Sequence, residues 1–275
     1  MHGKNPIYQR KHFQHFPERT MKLATHFLTK QGEGWYSGET AEFIRTSHCN
    51  LACRFCDTYF EAGEILTFDQ IFEAIANDIT EFYGSRKLEI PNSVKRSLLI
   101  VVTGGEPTLQ PHLKQFLIEA MWKGFRTQIE TNGILKLEVA PTTHVVSSPK
   151  VNEGTRKYIL PHPDNFARVD SFKFVISESV EGYTDIPEFA LKWKEKYPHR
   201  NLYVSPMNMY LSAPEKVGNN ADMKMRSEID ERVSFWTPNL LDPVQNQRNH
   251  EYAAYIAMKH DARLSLQTHL YASLP

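Results

Sequence analysis

The sequence predicts an α/β protein built on a parallel sheet, and three observations predict it. Residues 97–102 (SLLIVV) form a continuous apolar run, the mark of a strand buried on both faces of a parallel sheet. Short apolar runs alternate with segments of helical period along most of the chain. Polar or glycine-rich segments stand directly after the runs: the cysteine loop at 48–58, TGGEP at 103–107, ETNG at 130–133, SSPK at 147–150 and SPMN at 205–208. Active sites of barrels and open α/β sheets gather at that end of the strands.

Taken in order, residues 1 to 22 are polar, His-rich and aromatic, without a clear period, and read as an extension draped on the core. From Lys22 the pattern sharpens. Residues 40–45 (TAEFIR) read as a short strand feeding the cysteine loop. Thr67 is placed to cap a helix in which Ile71, Phe72, Ile75 and Ile79 recur at helical spacing. Residues 84–95 read as a polar loop around Pro91, before the 97–102 strand. A helix over 111–123 puts Leu113, Phe116, Leu117 and Ala120 on one face and stops at Gly124. Strands are predicted over 125–130, 144–147, 171–176 and 202–205, with a helix over 189–197 before the last. Residues 212–249 are polar, with a Gly-Asn-Asn turn, and read as an insertion or lid rather than a second domain. A helix over 250–259 and a strand over 262–267 follow, so residues 1–275 form one domain.

Charge and cysteine usage exclude several classes. Lys+Arg and Asp+Glu both number 32, and a chain without basic excess is a poor electrostatic nucleic-acid binder. The longest purely apolar run, 98–102, is far too short for a bilayer, and the first twenty residues carry no apolar signal-peptide core. The 3 cysteines, Cys49, Cys53 and Cys56, lie within eight residues. That is a poor disulfide framework and predicts a cytoplasmic protein whose thiols share one task.

The cysteine spacing is C-x3-C-x2-C. Structural zinc wants four ligands, and His48 adjoins Cys49 too closely to converge easily on one tetrahedral ion. Three thiolates match three corners of a [4Fe–4S] cube and leave one iron open to a small molecule. A zinc module stays as the alternative. In Thr103-Gly104-Gly105-Glu106-Pro107, two glycines let the backbone approach a ligand and exposed carbonyls can accept from an ammonium; the plain alternative is a tight turn. Gln31-Gly32-Glu33-Gly34 is either a structural turn or a carboxylate presented to an N–H edge.

With these segments the chain resembles the radical S-adenosylmethionine (SAM) superfamily, whose cluster motif has this spacing with an aromatic before the third cysteine, as Phe55 is here. A finer resemblance is to the 7-carboxy-7-deazaguanine synthase family. It rests on QGEG with Tyr36 and Gly38, Phe43-Ile44-Arg45, Cys56-Asp57-Thr58, TGGEP, Glu130-Thr131-Asn132-Gly133, Ser148-Pro149-Lys150, Phe172-Lys173-Phe174-Val175 and Gln267-Thr268-His269 near Pro275.

The resemblance implies a partial, incomplete TIM-like barrel of the radical SAM type with parallel strands. It implies a [4Fe–4S] cluster on Cys49, Cys53 and Cys56. It implies SAM contacts from Phe55, Asp57, Gly104, Gly105, Glu106, Thr131, Asn132, Ser148 and Lys150, and Mg²⁺ on the Thr58 hydroxyl. Substrate contacts are implied for Gln31, Gly32, Glu33, Arg45, Thr103, His269 at the end of the last strand, and Pro275 through its carboxylate. The implied reaction is radical conversion of 6-carboxy-5,6,7,8-tetrahydropterin to 7-carboxy-7-deazaguanine with loss of ammonia, on the route to queuosine. The implied partners are the small pterin, a flavodoxin-like electron donor and a second copy in a homodimer, with no nucleic acid and no membrane. The rivals are a glycyl-radical-enzyme activase, which lacks QGEG, the CDT triplet and the QTH tail, and a non-enzymatic zinc or iron–sulfur module.

Overall fold

The structure, a computed structural model, describes residues 7–13, 15–53, 55–56, 63–210, 234–236 and 241–274. Asp57, Thr58 and Pro275, and the greater part of the 212–249 stretch, lie outside the described residues.

Among the described residues, nine strands form one sheet: β1 (Thr20–Lys30), β2 (Thr40–Thr46), β3 (Glu64–Thr67), β4 (Leu99–Gly104), β5 (Arg126–Thr131), β6 (His144–Ser147), β7 (Ser171–Ile176), β8 (Asn201–Pro206) and β9 (Arg263–Leu264). Their order is β3-β1-β2-β4-β5-β6-β7-β8-β9, an open row that does not close into a barrel. From β2 to β9 every neighbouring pair is parallel. The fold class is the expected one, with a correction: β1 and β3 are antiparallel additions at one edge. The period of β1 is hard to see in the sequence because its pairing slips between Leu23 and Thr25, which breaks the alternation of side chains.

Among the described residues, six α-helices accompany the sheet: α1 (Phe68–Ser85), α2 (Asn92–Ser97), α3 (Leu113–Trp122), α4 (Glu188–Lys196), α5 (Pro243–Lys259) and α6 (Thr268–Ala272). Thr67 caps α1 in a reciprocal box with Gln70, and Phe68, Ile71 and Ile75 bury its inner stripe. The loop expected around Pro91 contains α2, and α5 begins at Asp242–Pro243, reaching back into the stretch read as a lid. The strand expected over 262–267 shrinks to Arg263–Leu264.

Strand alternation separates two faces. Ile44, Ile100, Val102, Ile129, Phe172, Phe174 and Val204 turn toward the helices and form the main core. Their neighbours Phe43, Arg45, Thr103, Glu130, Lys173 and Ser205 turn to the other face and line a cavity. The N-terminal segment packs beside the cysteine loop: Tyr8 donates its N–H to Cys49 O at 2.9 Å, and its ring lies 4.0 Å from that of His48.

Candidate active site

The floor of the cavity is a buried charge cluster. Lys173 Nζ lies 2.9 Å from Glu33 Oε2 and 3.1 Å from Glu130 Oε2. Ser205 Oγ donates to Glu33 Oε1 at 2.8 Å, and the amides of Gln31 and Gln128 both donate to Glu130 Oε1 at 3.1 Å. Burial works against the charge on Glu130, yet Lys173 and then Gln31 hold its carboxyl below the usual range. Burial likewise opposes the Lys173 ammonium; Glu130 and then Glu33 outweigh it and lift Lys173 above the ordinary lysine range. Two oriented carboxylates thus share one fixed ammonium and leave acceptor capacity facing the cavity.

The cysteine loop runs from the end of β2 and meets the GGEP turn at the end of β4. Gly105 N–H donates to Thr46 O at 2.9 Å and Glu106 N–H to His48 O at 2.8 Å. A Cβ on Gly105 would stand 1.9 Å from His48 O, and one on Gly104, whose φ is +105°, would stand 2.5 Å from Thr46 N. The glycines therefore admit the cysteine loop's own backbone, where the sequence suggested a ligand. Glu106 is buried and locks two loops: its Oε1 accepts from Thr108 N at 3.0 Å, Thr108 Oγ1 at 2.6 Å and Thr131 Oγ1 at 2.6 Å, and its Oε2 from Asn132 N at 2.8 Å. Asn132 Nδ2 donates to Asn50 Oδ1 at 2.6 Å, tying β5 to the cysteine loop.

The cavity, about 220 Å³ in volume, collects most of the residues singled out by sequence. Cys49, Cys53, Phe55 and Cys56 line it, as do Thr103, Gly104, Gly105, Glu106, Thr131 and Asn132. Ser148 and Lys150 join them, with Lys150 Nζ donating to Ser148 Oγ at 2.6 Å. Glu33, Arg45 and His269 complete the set; the Arg45 guanidinium lies 4.8 Å over the Phe27 ring. Gln31 stands behind the wall, orienting Glu130, and Gly32 acts as a spacer: its Cβ would meet His269 Nδ1 at 2.5 Å. His269 stands in α6 rather than at a strand end. Asp57, Thr58 and Pro275 lie outside the described residues. Sequence reasoning assigned no role to Glu130, Lys173, Ser205, Asn208 or Gln267, which also line the cavity. A lysine inside the otherwise apolar strand SFKFVI was the available signal.

Comparison with known proteins gives a consistent answer. The Radical SAM superfamily profile matches residues 43–142. The 7-carboxy-7-deazaguanine synthase of Rickettsia prowazekii is 32% identical over 274 residues, spanning 96% of either chain. This chain belongs to the 7-carboxy-7-deazaguanine synthase family. The family's member from Hyperthermus butylicus is 31% identical over 229 residues, 78% of this chain and 85% of that one. The crystal structure of QueE from Escherichia coli superposes with a TM-score of 0.53 at 17% identity, covering 94% of this chain and 98% of that one, a likeness of fold.

Membership in a radical SAM family brings a [4Fe–4S] cluster and SAM as the cofactor set. The donor set fits. Three thiols face one cavity, and His48 stacks on Tyr8 with its Nε2 3.5 Å from Lys22 Nζ. Among the described residues, the one group of His, Cys, Asp and Glu donors drawn within 4.8 Å of one another contains no cysteine, so the thiols are spread wider than ligands of a single tetrahedral ion. Burial, then the Glu106 carboxylate, pushes the Cys49 thiol up, so a thiolate there calls for a cationic partner such as cluster iron.

Proposed function

We propose that the chain converts 6-carboxy-5,6,7,8-tetrahydropterin to 7-carboxy-7-deazaguanine with release of ammonia, in 7-deazapurine biosynthesis leading to queuosine. The observation that carries this reading is that the Glu33–Lys173–Glu130 floor and the three cysteines face one cavity. Cys49, Cys53 and Cys56 would hold the cluster, and cluster and SAM when bound would supply reversible hydrogen-atom transfer with the substrate.

The protein's part is placement. Glu33 and Glu130, oriented by Lys173, Ser205, Gln31 and Gln128, accept from the guanidine-like N–H edge of the pterin. Lys173, held protonated, donates to a ring oxygen. Arg45 takes the substrate carboxylate, assisted by His269, which lines the same cavity. Gly104, Gly105, Ser148 and Lys150 line the same cavity as the three cysteines and serve SAM. Substrate and product differ by one ammonia, so the rearrangement requires no net oxidant.

Mg²⁺ on the Thr58 hydroxyl, a flavodoxin-like electron donor, a homodimer, a cytoplasmic location and Pro275 closing the pocket belong to the same proposal. Residues 1–22 as an extension and 212–249 as an insertion belong to it too. No described helix is long and apolar enough to cross a membrane. The test is anaerobic incubation of the reconstituted protein with SAM, dithionite and the carboxypterin, followed by mass spectrometry. The expected product is lighter than the substrate by one ammonia, formed in excess over SAM consumed, with turnover raised by Mg²⁺ and less so in Thr58→Ala. Deoxyadenosine formed without that product would overturn the substrate assignment.

A further inference from the structure

Away from the cavity, the core face of the sheet carries one polar cluster that the reaction does not use. It joins His26 of β1, Glu42 of β2 and Asp78 of α1. Glu42 lies two residues before Ile44, on the face opposite Arg45, and Asp78 continues the Ile71–Ile75 stripe with which α1 meets the sheet. His26 Nδ1 is 2.6 Å from Asp78 Oδ2 and 3.7 Å from Glu42 Oε1, and one ligand atom from each of the three residues falls within 4.8 Å of the others.

We propose that His26, Glu42 and Asp78 form a structural Zn²⁺ site that fastens α1 to β1 and β2. Four observations carry the proposal. First, Glu42 is fully buried and neither carboxylate oxygen has a hydrogen-bond partner, an arrangement proteins avoid unless something else satisfies the group. Second, the separations of 2.6 Å and 3.7 Å from His26 Nδ1 bracket the roughly 3.4 Å that tetrahedral zinc requires with bonds of about 2.1 Å, so side-chain rotations bring the donors to that spacing. Third, zinc displacing the protons that Asp78 and Glu42 hold on His26 and that burial holds on Glu42 would leave an imidazole and two carboxylates, which neutralise the dication. Fourth, the His26 and Asp78 side chains are 31% and 22% exposed, which opens a rim for ion access and for a water as fourth ligand. The imidazole favours Zn²⁺ over Mg²⁺, which prefers oxygen ligands and retains its waters.

The test uses cluster-reconstituted protein, so that Cys49, Cys53 and Cys56 are occupied. It is cleared over a chelating resin, equilibrated with Zn²⁺ and desalted, and iron and zinc are counted per chain. Wild type should hold one zinc in addition to the cluster iron. His26→Gln and Asp78→Asn should weaken zinc, in competition against a chromophoric chelator, by at least the roughly 100-fold that an outer-shell loss can cost. Their iron content should not change, and Glu73→Gln, on the exposed side of α1, should bind as wild type does. Zinc at about 100 times its Kd should raise the wild-type Tm by about 5 °C and leave those two variants unmoved. Wild type without saturable zinc overturns the proposal, whether or not the variants fold; so does a folded Asp78→Asn that binds as tightly as wild type. Because the readout is zinc content, failure here leaves the proposed reaction untouched, and failure of that reaction leaves this site untouched.

Discussion

Replacing Lys173 with methionine isolates what the buried ammonium does. Met keeps most of the volume and removes the charge, leaving Glu33 and Glu130 facing each other with side chains only 11% and 16% exposed. Breaking a buried pair by removing one partner costs about 3–5 kcal/mol, because the remaining charge is uncompensated. For a chain of this length each kcal/mol moves Tm by about 2 °C, so a fall of about 6–10 °C is expected. The pH dependence gives a sharper check. In wild type, Lys173 holds Glu130 below its ordinary range, so that contribution is present above the ordinary carboxylate pKa and is lost as pH falls through the depressed value. Without Lys173, burial lifts Glu130 instead, and stability is then lost as pH rises through the raised value. The gap in Tm between wild type and variant should therefore widen from pH 5.5 to pH 8. Adding Glu130→Gln should recover most of the loss. The assay is thermal unfolding of the reconstituted protein across that pH range, with turnover measured alongside. A gap that stays constant with pH, or a Tm fall under 2 °C, would refute the claim that Lys173 is the counter-charge of this floor.

Three further outcomes follow from the same geometry. Gly105→Ala drives a methyl into His48 O and should cost about 3 kcal/mol and lower iron content after reconstitution; full iron loading would show that the cysteine loop can move aside. Glu106→Gln leaves donors from Thr108, Thr131 and Asn132 competing for one oxygen, and should lose about 3 kcal/mol in thermal unfolding and raise the KM for SAM; an unaltered KM separates Glu106 from the SAM wall. Cys49→Ala, Cys53→Ala and Cys56→Ala should each abolish deoxyadenosine formation in a reductive cleavage assay, and normal cleavage by any one of them would sink the cluster assignment.

The parallel strands were legible because burial on both faces writes itself as an unbroken apolar run, as at Leu99–Val102. The cysteine loop and GGEP were legible because their residue types are few and tightly spaced. What escaped had a physical reason. The register slip in β1 hides its alternation, and β3 is only four residues at an edge. Sequence displays the charge of Glu106 but not the four donors that close around it. Lys173 and Glu130 stand 43 residues apart in the chain, and only the pairing of β5 through β6 to β7 brings them within 3.1 Å. The cluster of His26, Glu42 and Asp78 was hidden for the same reason, since three separate elements contribute one residue each.

The way Gly32 receives the C-terminal segment has a temporal consequence. Thr268 donates its hydroxyl to Gly32 O at 3.2 Å, and Gly34 N–H donates to Ser265 Oγ at 3.0 Å. The substrate half of the pocket is thus stitched between two stretches at opposite ends of the chain. The cysteine loop, by contrast, is braced by Gly105 and Glu106, which leave the ribosome early. About 160 residues separate Glu106 from Gln267, so at roughly 5–20 residues per second the nascent chain has on the order of 10–30 s with its cysteine loop braced and its C-terminal seam unmade. Cluster iron and sulfide can therefore meet a braced set of thiols before the C-terminal segment is made.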